Sequence, residues 1–429
     1  ISGQENSFPN LLSQKFALLG GGDFTQPLMN DNIGGFVLGT TVVSNPRLYF
    51  NGSGPAVLPA TPTTQITDVL TGDFNNYGIP GAKSFHLGIA GYGTLNPYFG
   101  RMASSPGATI LGDAVAQNPT FFTLSEIGGN DVLSYATSGG VGVDQTGNFD
   151  PTTYGTNDIT DPNVFAASFN ASVDALTANG AKGVVANLPY ITSLAHFTTV
   201  PYNPVPLDAA TAAALNQGYA AYNGGLQQAF AALDGTGLFT AEELAQRTIS
   251  FSESATNALV IIDETLTDLG AINPAFAGIP QYRQATADDL FVLPLSSLIP
   301  QGYGTQIPLE DKWALIPSEQ LALQTATDAY NATIEAVAAS KGLALVDFKS
   351  ILQQASTTGF QSGNFILTTD LVTGGLVSLD GVHLTSRGYA LMANEMMKAI
   401  DLTYGSNFEA SGNLIDAGEY PTNYPPTLQ

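Results

Sequence analysis

Short apolar runs alternate with helix-spaced apolar stripes along most of the chain. Lys83-Ser-Phe-His-Leu-Gly88 reads as a strand entering a glycine-rich turn, and Pro119-Thr-Phe-Phe-Thr-Leu-Ser125 as a second strand ending in glycines. Phe165, Phe169, Val173 and Leu176 fall at helical spacing, Gly180 stops that helix, and Gly183-Val-Val-Ala-Asn-Leu188 supplies the next strand. Leu323, Tyr330, Ile334 and Val337 line another helix, ended by Gly342, and Leu343-Ala-Leu-Val-Asp-Phe348 follows as a buried strand. Tyr389, Met392 and Met396 form the stripe of a last helix. Strands alternating with helices in this way predict an α/β fold with a parallel sheet, and the stripes read as core packing.

Residues 198 to 312 have a different texture. Pro201, Pro204 and Pro206 open the stretch, and Leu215, Tyr219, Tyr222, Leu226 and Phe230 then share one helix face. Thr240-Ala-Glu-Glu243 has the form of a capping box. Two apolar runs, Ala258 to Ile262 and Leu290 to Leu295, follow between Gly- and Pro-rich loops. The pattern predicts an inserted cap that interrupts a discontinuous sheet domain made of 1–197 and 313–400. Ser138 to Pro162 is a second insertion, rich in Gly, Asp, Asn and Thr. Asp144, Asp150 and Asp158 offer oxygens of the type that ligates calcium, but their spacing matches no calcium loop, so a solvated loop is expected. Residues 401–429 read as an irregular tail.

Composition narrows the function. The chain has 429 residues, with 12 Lys and Arg against 36 Asp and Glu, a net charge of -24. That balance excludes nucleic acid as a partner, since phosphates would be repelled. The absence of cysteine removes disulfides, thiolate metal sites and cysteine nucleophiles. No apolar run is long enough to span a bilayer. Few lysines with abundant Gly, Thr and Asn point to an extracytoplasmic protein, secreted or at the cell surface, such as a bacterial outer-membrane lipoprotein.

Only His86, His196 and His383 are available for acid–base chemistry near neutral pH. His383 stands in Leu379-Asp-Gly-Val-His-Leu384, before the last helix. An Asp three residues ahead on a tight turn can reach the imidazole Nδ1–H, fix the tautomer and stabilise the imidazolium. Ile127-Gly-Gly-Asn-Asp131 closes a predicted strand, where α/β folds place their ligands, and the Asn130 amide is a candidate oxyanion donor. The glycines of Gly88-Ile-Ala-Gly-Tyr-Gly-Thr94 also follow a predicted strand and can form an anion-binding nest. His86 and His196 read as structural histidines. With no cluster at metal spacing, neither a catalytic metal nor a cofactor is expected.

In this order, the Gly loop, Gly-x-Asn-Asp and Asp-x-x-His before the last helix resemble the conserved blocks of the SGNH (GDSL-type) hydrolase superfamily. The resemblance covers 7–197 and 313–400, and it implies a flavodoxin-like three-layer α/β/α sandwich with a Ser-His-Asp esterase mechanism. On it, His383 is the general base, Asp380 its orienter, and Asn130 and Gly91 the oxyanion donors, with Gly88 the alternative to Gly91. Ser7-Phe-Pro-Asn-Leu-Leu12 looks like the helix after the family's nucleophile block.

The chain departs from the family at that first block. No Gly-Asp-Ser occurs, and Gly22-Asp23 and Gly72-Asp73 are each followed by Phe. The expectation is a serine-dependent ester hydrolase whose strand and nucleophile lie upstream of Ile1, on the same chain, a bound N-terminal fragment or a partner chain. Arg247, Arg283 and Lys312 are the only Lys or Arg of 198–312. A neutral or apolar lipid, acyl or glycan ester therefore fits better than an anionic substrate. The alternative is a non-catalytic binding or structural subunit that keeps the fold without the chemistry.

Overall fold

A computed structural model describes residues 1–429 as a mixed α/β protein with many helices and a small parallel sheet. The chain divides into two compact units. The first unit comprises 1–134, 144–195 and 323–429; the second comprises 135–143 and 196–322.

The helices of the first unit include α1 (Ser2–Glu5), α2 (Phe8–Ala17), the first turns of α3 (Gly129–Thr137), α4 (Pro162–Thr177), the later turns of α5 (Pro317–Lys341) and α6 (Ser386–Tyr404). Three strands, β1 (Phe121–Leu124), β2 (Lys182–Ala186) and β3 (Ala344–Val346), pair in parallel in the order β3-β2-β1. They fall on the runs read from the sequence; β1 and β3 are shorter than those runs, and Asp347 caps the helix that follows β3. Val184 and Ala186 of β2 and Ala344 and Val346 of β3 pack with Leu11 and Leu12 of α2 and with Met396 and Met397 of α6. Strand pleating turns the fully buried Val185 away from that cluster. One edge of the sheet is β3. The other is β1, which leads into the Gly-Gly-Asn-Asp turn.

Lys83 to Gly88 is not a strand. Ser84–Gly88 is a single 3₁₀ segment. The Ser84 N–H, which a ladder would need, goes instead to the Asp131 carboxylate at 2.9 Å, and the Ser84 hydroxyl reaches the other oxygen at 2.7 Å. Lys83 donates its backbone N–H to His86 Nδ1 at 2.9 Å. Side-chain acceptors have outcompeted sheet pairing.

The second unit is built on the helix Ala209–Ala232, which buries Leu215, Tyr219 and Leu226. Two short antiparallel pairs accompany it, Val260–Ile262 with Tyr282–Gln284 and Leu290–Phe291 with Ala314–Leu315. Thr240 caps the helix Ala241–Arg247 by accepting the Glu243 N–H at 3.2 Å. The reciprocal half of a capping box is missing, because the Glu243 carboxylate takes the Thr267 N–H and hydroxyl. No helix is long and apolar enough to cross a membrane.

Candidate functional site

The Asp-x-x-His segment folds as a hairpin tip immediately before α6. Val377 and Leu384 bridge, the Ser378 N–H donates to His383 O at 2.7 Å, and the Gly381 N–H returns to Ser378 O at 2.9 Å. Gly381 has φ +77°, a conformation that would strain other residues at this turn. The tip brings Asp380 Oδ2 to 2.6 Å from His383 Nδ1. Asp380 Oδ1 accepts from the Ser378 hydroxyl and the Val382 and His383 N–H groups at 2.8–3.0 Å. A carboxylate can only accept, so Nδ1 carries the hydrogen and Nε2 is left as the basic edge.

Burial pushes the Asp380 carboxyl up, but the hydrogen bond and charge of His383 outweigh it and hold the group well below the usual range. For His383 the Asp380 hydrogen bond dominates and raises the imidazole above its ordinary value, against burial and with help from the charges of Asp380 and Glu126. The pair remains open to solvent, with side chains 40% and 66% exposed.

Glu126 was not singled out in the sequence. It follows β1 with φ +62°, a left-handed conformation uncommon outside glycine, and its carbonyl accepts the Gly129 N–H at 2.9 Å. It keeps solvent access, yet the surrounding protein raises its carboxyl while the charge of His383 lowers it. The end of β1 therefore lies within electrostatic reach of His383. No pattern of neighbouring residues announces a left-handed glutamate.

The remaining candidates are placed less favourably. Asn130 Nδ2 donates to Ala82 O at 2.9 Å, leaving one of its two amide hydrogens for a ligand. Gly91 lies in a left-handed turn with its single N–H on Ala108 O at 3.0 Å, so it offers a substrate no donor. Gly88, the alternative, ends the 3₁₀ segment. Asp131 is fully buried, anchors Ser84 and has its carboxyl raised by burial. His86 stacks on Tyr92 at 4.5 Å, and burial and the Lys83 charge push it down to about 4, as suits a structural ring. His196 lies edge-on to Phe197. Asp144 and Asp150 accept N–H groups two residues ahead, as in Asx turns, and Asp158 accepts from Gly155 and Gln145.

The acidic groups that do converge belong to the second unit. Ligand oxygens of Glu264, Asp311 and Glu319 lie within 4.8 Å of one another, the one set that could hold a cation. Glu319 is buried and accepts the Ile316 N–H at 2.8 Å. Burial, with the like charges of Glu264, Asp311 and Asp263, pushes it up to about 8, while Asp311 is pushed up to about 6 by burial, Glu264 and Asp263. The sequence hid this group because its members come from three separated segments.

No protein-family model, curated protein or solved structure matches this chain.

Proposed function

We propose that the first unit is an acyl-ester hydrolase of the SGNH kind, its sheet the inner part of a flavodoxin-like sandwich. The observation that carries the proposal is the 2.6 Å contact between Asp380 Oδ2 and His383 Nδ1 on a hairpin before the last helix. Its electrostatic reach to Glu126, at the end of the strand that enters Gly-Gly-Asn-Asp, adds support. In a flavodoxin-like order the first strand would lie along the outer edge of β1, the edge that no other strand pairs with. A serine delivered there from outside these 429 residues completes the site.

In the proposed reaction the serine oxygen attacks the ester carbonyl as His383 Nε2 takes its proton. The resulting oxyanion accepts from the remaining Asn130 N–H. Collapse expels the alcohol, which leaves with the proton from His383, and water repeats the cycle to free the acid. Asp380 holds the ring and offsets its positive charge. The substrate class is a neutral or apolar acyl or glycan ester. Short-chain aryl esters given to full-length protein test this: His383→Ala should reduce turnover by roughly 100- to 10,000-fold, and equal rates would sink the assignment.

One observation favours a second reading, that of a non-catalytic binding subunit: the Gly91 N–H and one Asn130 N–H are already engaged within the protein. A serine-directed phosphonate separates the two. An adduct on folded full-length protein supports catalysis, and its absence supports binding.

A further inference from the structure

After α6 the C-terminal segment is irregular apart from one 3₁₀ turn, and it retraces the helix toward its first turn. Near the middle of the helix, Asn394 exchanges two hydrogen bonds with the backbone of Ile415, at 2.7 and 2.9 Å. Further toward the helix start, Arg387 Nε donates to Ala417 O at 3.1 Å. At the first turn, Ser386 Oγ meets Tyr424 Oη at 2.7 Å.

Arg47 fastens the far end of this strap. Its Nε donates to Asn32 O, Nη1 to Leu48 O and Tyr424 O, and Nη2 to Pro425 O and Leu428 O, at 2.7–3.3 Å. A guanidinium has five N–H donors, and here each has a backbone carbonyl. The arginine works as a clamp on three tail carbonyls, with its guanidinium carbon 6.0 Å from the Tyr424 ring centroid.

The clamp sets the Tyr424 hydroxyl between two helices. Asn6 Nδ2 lies 2.8 Å from it, Ser386 Oγ 2.7 Å and Ser2 O 3.2 Å. A phenol donates one hydrogen and accepts two. Ser2 O can only accept and the Asn6 amide nitrogen can only donate, so Ser386 must donate as well. Every capacity of the hydroxyl is used. The residue before Ser386 is Thr385, whose N–H and hydroxyl tie to Leu376 O and Gly375 O at the base of the Asp380–His383 hairpin. One phenol oxygen thus joins α1 to the foot of that hairpin.

We propose that Tyr424 is a positioning residue for His383, holding the base in register with α1. The proposal rests on the esterase reading, which sets the nucleophile on the segment entering α1. A loss of register by an ångström at such a site costs up to a hundredfold in rate. A tyrosine that merely staples the tail would affect melting and leave the imidazole unchanged.

Full-length Tyr424→Phe keeps the ring and removes the node. Its kcat on a short-chain aryl ester should fall roughly ten- to a hundredfold with KM little changed. The ¹⁵N resonances of the His383 ring, identified by their absence in His383→Ala, should shift and broaden. Ser386→Ala added to Tyr424→Phe should cost nothing further, because both remove one bond. Wild-type kcat with an unmoved His383 spectrum overturns the proposal, and so does a lowered Tm with both of those unchanged. If wild type and His383→Ala hydrolyse esters equally, the esterase reading fails by itself. The His383 spectrum of Tyr424→Phe then still decides whether the hydroxyl positions the ring.

Discussion

Each unit holds carboxylates paired with a basic side chain, and the two pairings are built in opposite ways. In the first unit Asp380 and His383 meet at 2.6 Å on a hairpin tip, with the His383 side chain mostly in solvent and that of Asp380 partly so. In the second, Arg283 lies 2.5 Å from Asp263 and 2.6 Å from Asp289, with all three side chains no more than 4% exposed. The Asp289 contact is bidentate, and Thr286 donates its N–H to the same carboxylate. Burial makes a broken pair expensive because the survivor is left as an uncompensated charge. Exposure makes a pair cheap to rearrange and leaves one ring nitrogen of His383 free to exchange a proton. The lengths are nearly equal, so distance alone does not separate a structural pair from a chemical one.

The largest effect should come from Asp380→Asn. On the esterase reading it lowers kcat by about 10⁴-fold, as the same change does in a Ser-His-Asp triad. The pH profile sharpens the point. A base must be neutral to work, and Asp380 raises His383, so wild-type activity should climb only above the ordinary histidine value of about 6.5. Asp380→Asn removes that cause, and the residual activity should rise at lower pH. Stability should change little. The depressed Asp380 contributes above about pH 3.9 and loses that contribution as pH falls through its folded value. The raised His383 contributes fully below about pH 6.5 and loses it as pH rises through its own. Any loss in Tm is therefore greatest between those limits. A large loss of stability with activity intact would erase the contrast between the two pairs.

Arg283→Met reverses the pattern. It leaves Asp263 and Asp289 buried without their cation, and unfolding in denaturant should show a loss of roughly 3–5 kcal/mol. The first unit contains no part of this triad. A loss below about 1 kcal/mol would mean that water already screens the site.

How much of this could be read from the sequence follows the range of the interactions. The Asp380–His383 contact spans three residues on one turn, so the spacing carried it. The strands β1, β2 and β3 were visible because each is a short, mostly apolar stretch bounded by turn residues. Lys83 to Gly88 alternates polar and apolar residues as a strand can and still fails as one, since its Ser84 N–H is claimed by Asp131 from another element. The Arg283 triad, the carboxylates around Glu319 and the Tyr424 node join segments that only the folded chain brings together. The left-handed backbone of Glu126 is likewise a product of its surroundings, at a position where a glycine would have advertised it.

A third arrangement, carboxylates without a cation, tests the same physics at smaller scale. Glu319 is pushed up to about 8. Between the ordinary glutamate value of about 4.3 and that point, the folded state holds a proton that the unfolded state has released. Stability should therefore fall as pH rises through this window, by at most about 1.4 kcal/mol per unit. Glu319→Gln removes the slope while its side-chain oxygen can still accept the Ile316 N–H. Melting at several pH values should show the variant matching wild type near pH 4 and exceeding it above pH 8. Parallel curves would mean that Glu319 titrates as an exposed carboxylate does.

The smallest effect belongs to Lys341 and Asp174, 2.6 Å apart and 39% and 61% exposed. Their separation equals that of Arg283 Nη2 and Asp289 Oδ1. Lys341 is also the last residue of α5, where a cation gains slightly from the helix dipole. Even so, water screens both charges, and holding two long side chains in one geometry costs entropy. Lys341→Ala should lower stability by less than about 1 kcal/mol, and 1 M salt should shrink even that difference. If denaturant unfolding instead gave a loss like that of Arg283→Met, contact length would govern the strength of these pairs, and burial would not explain the contrast between them.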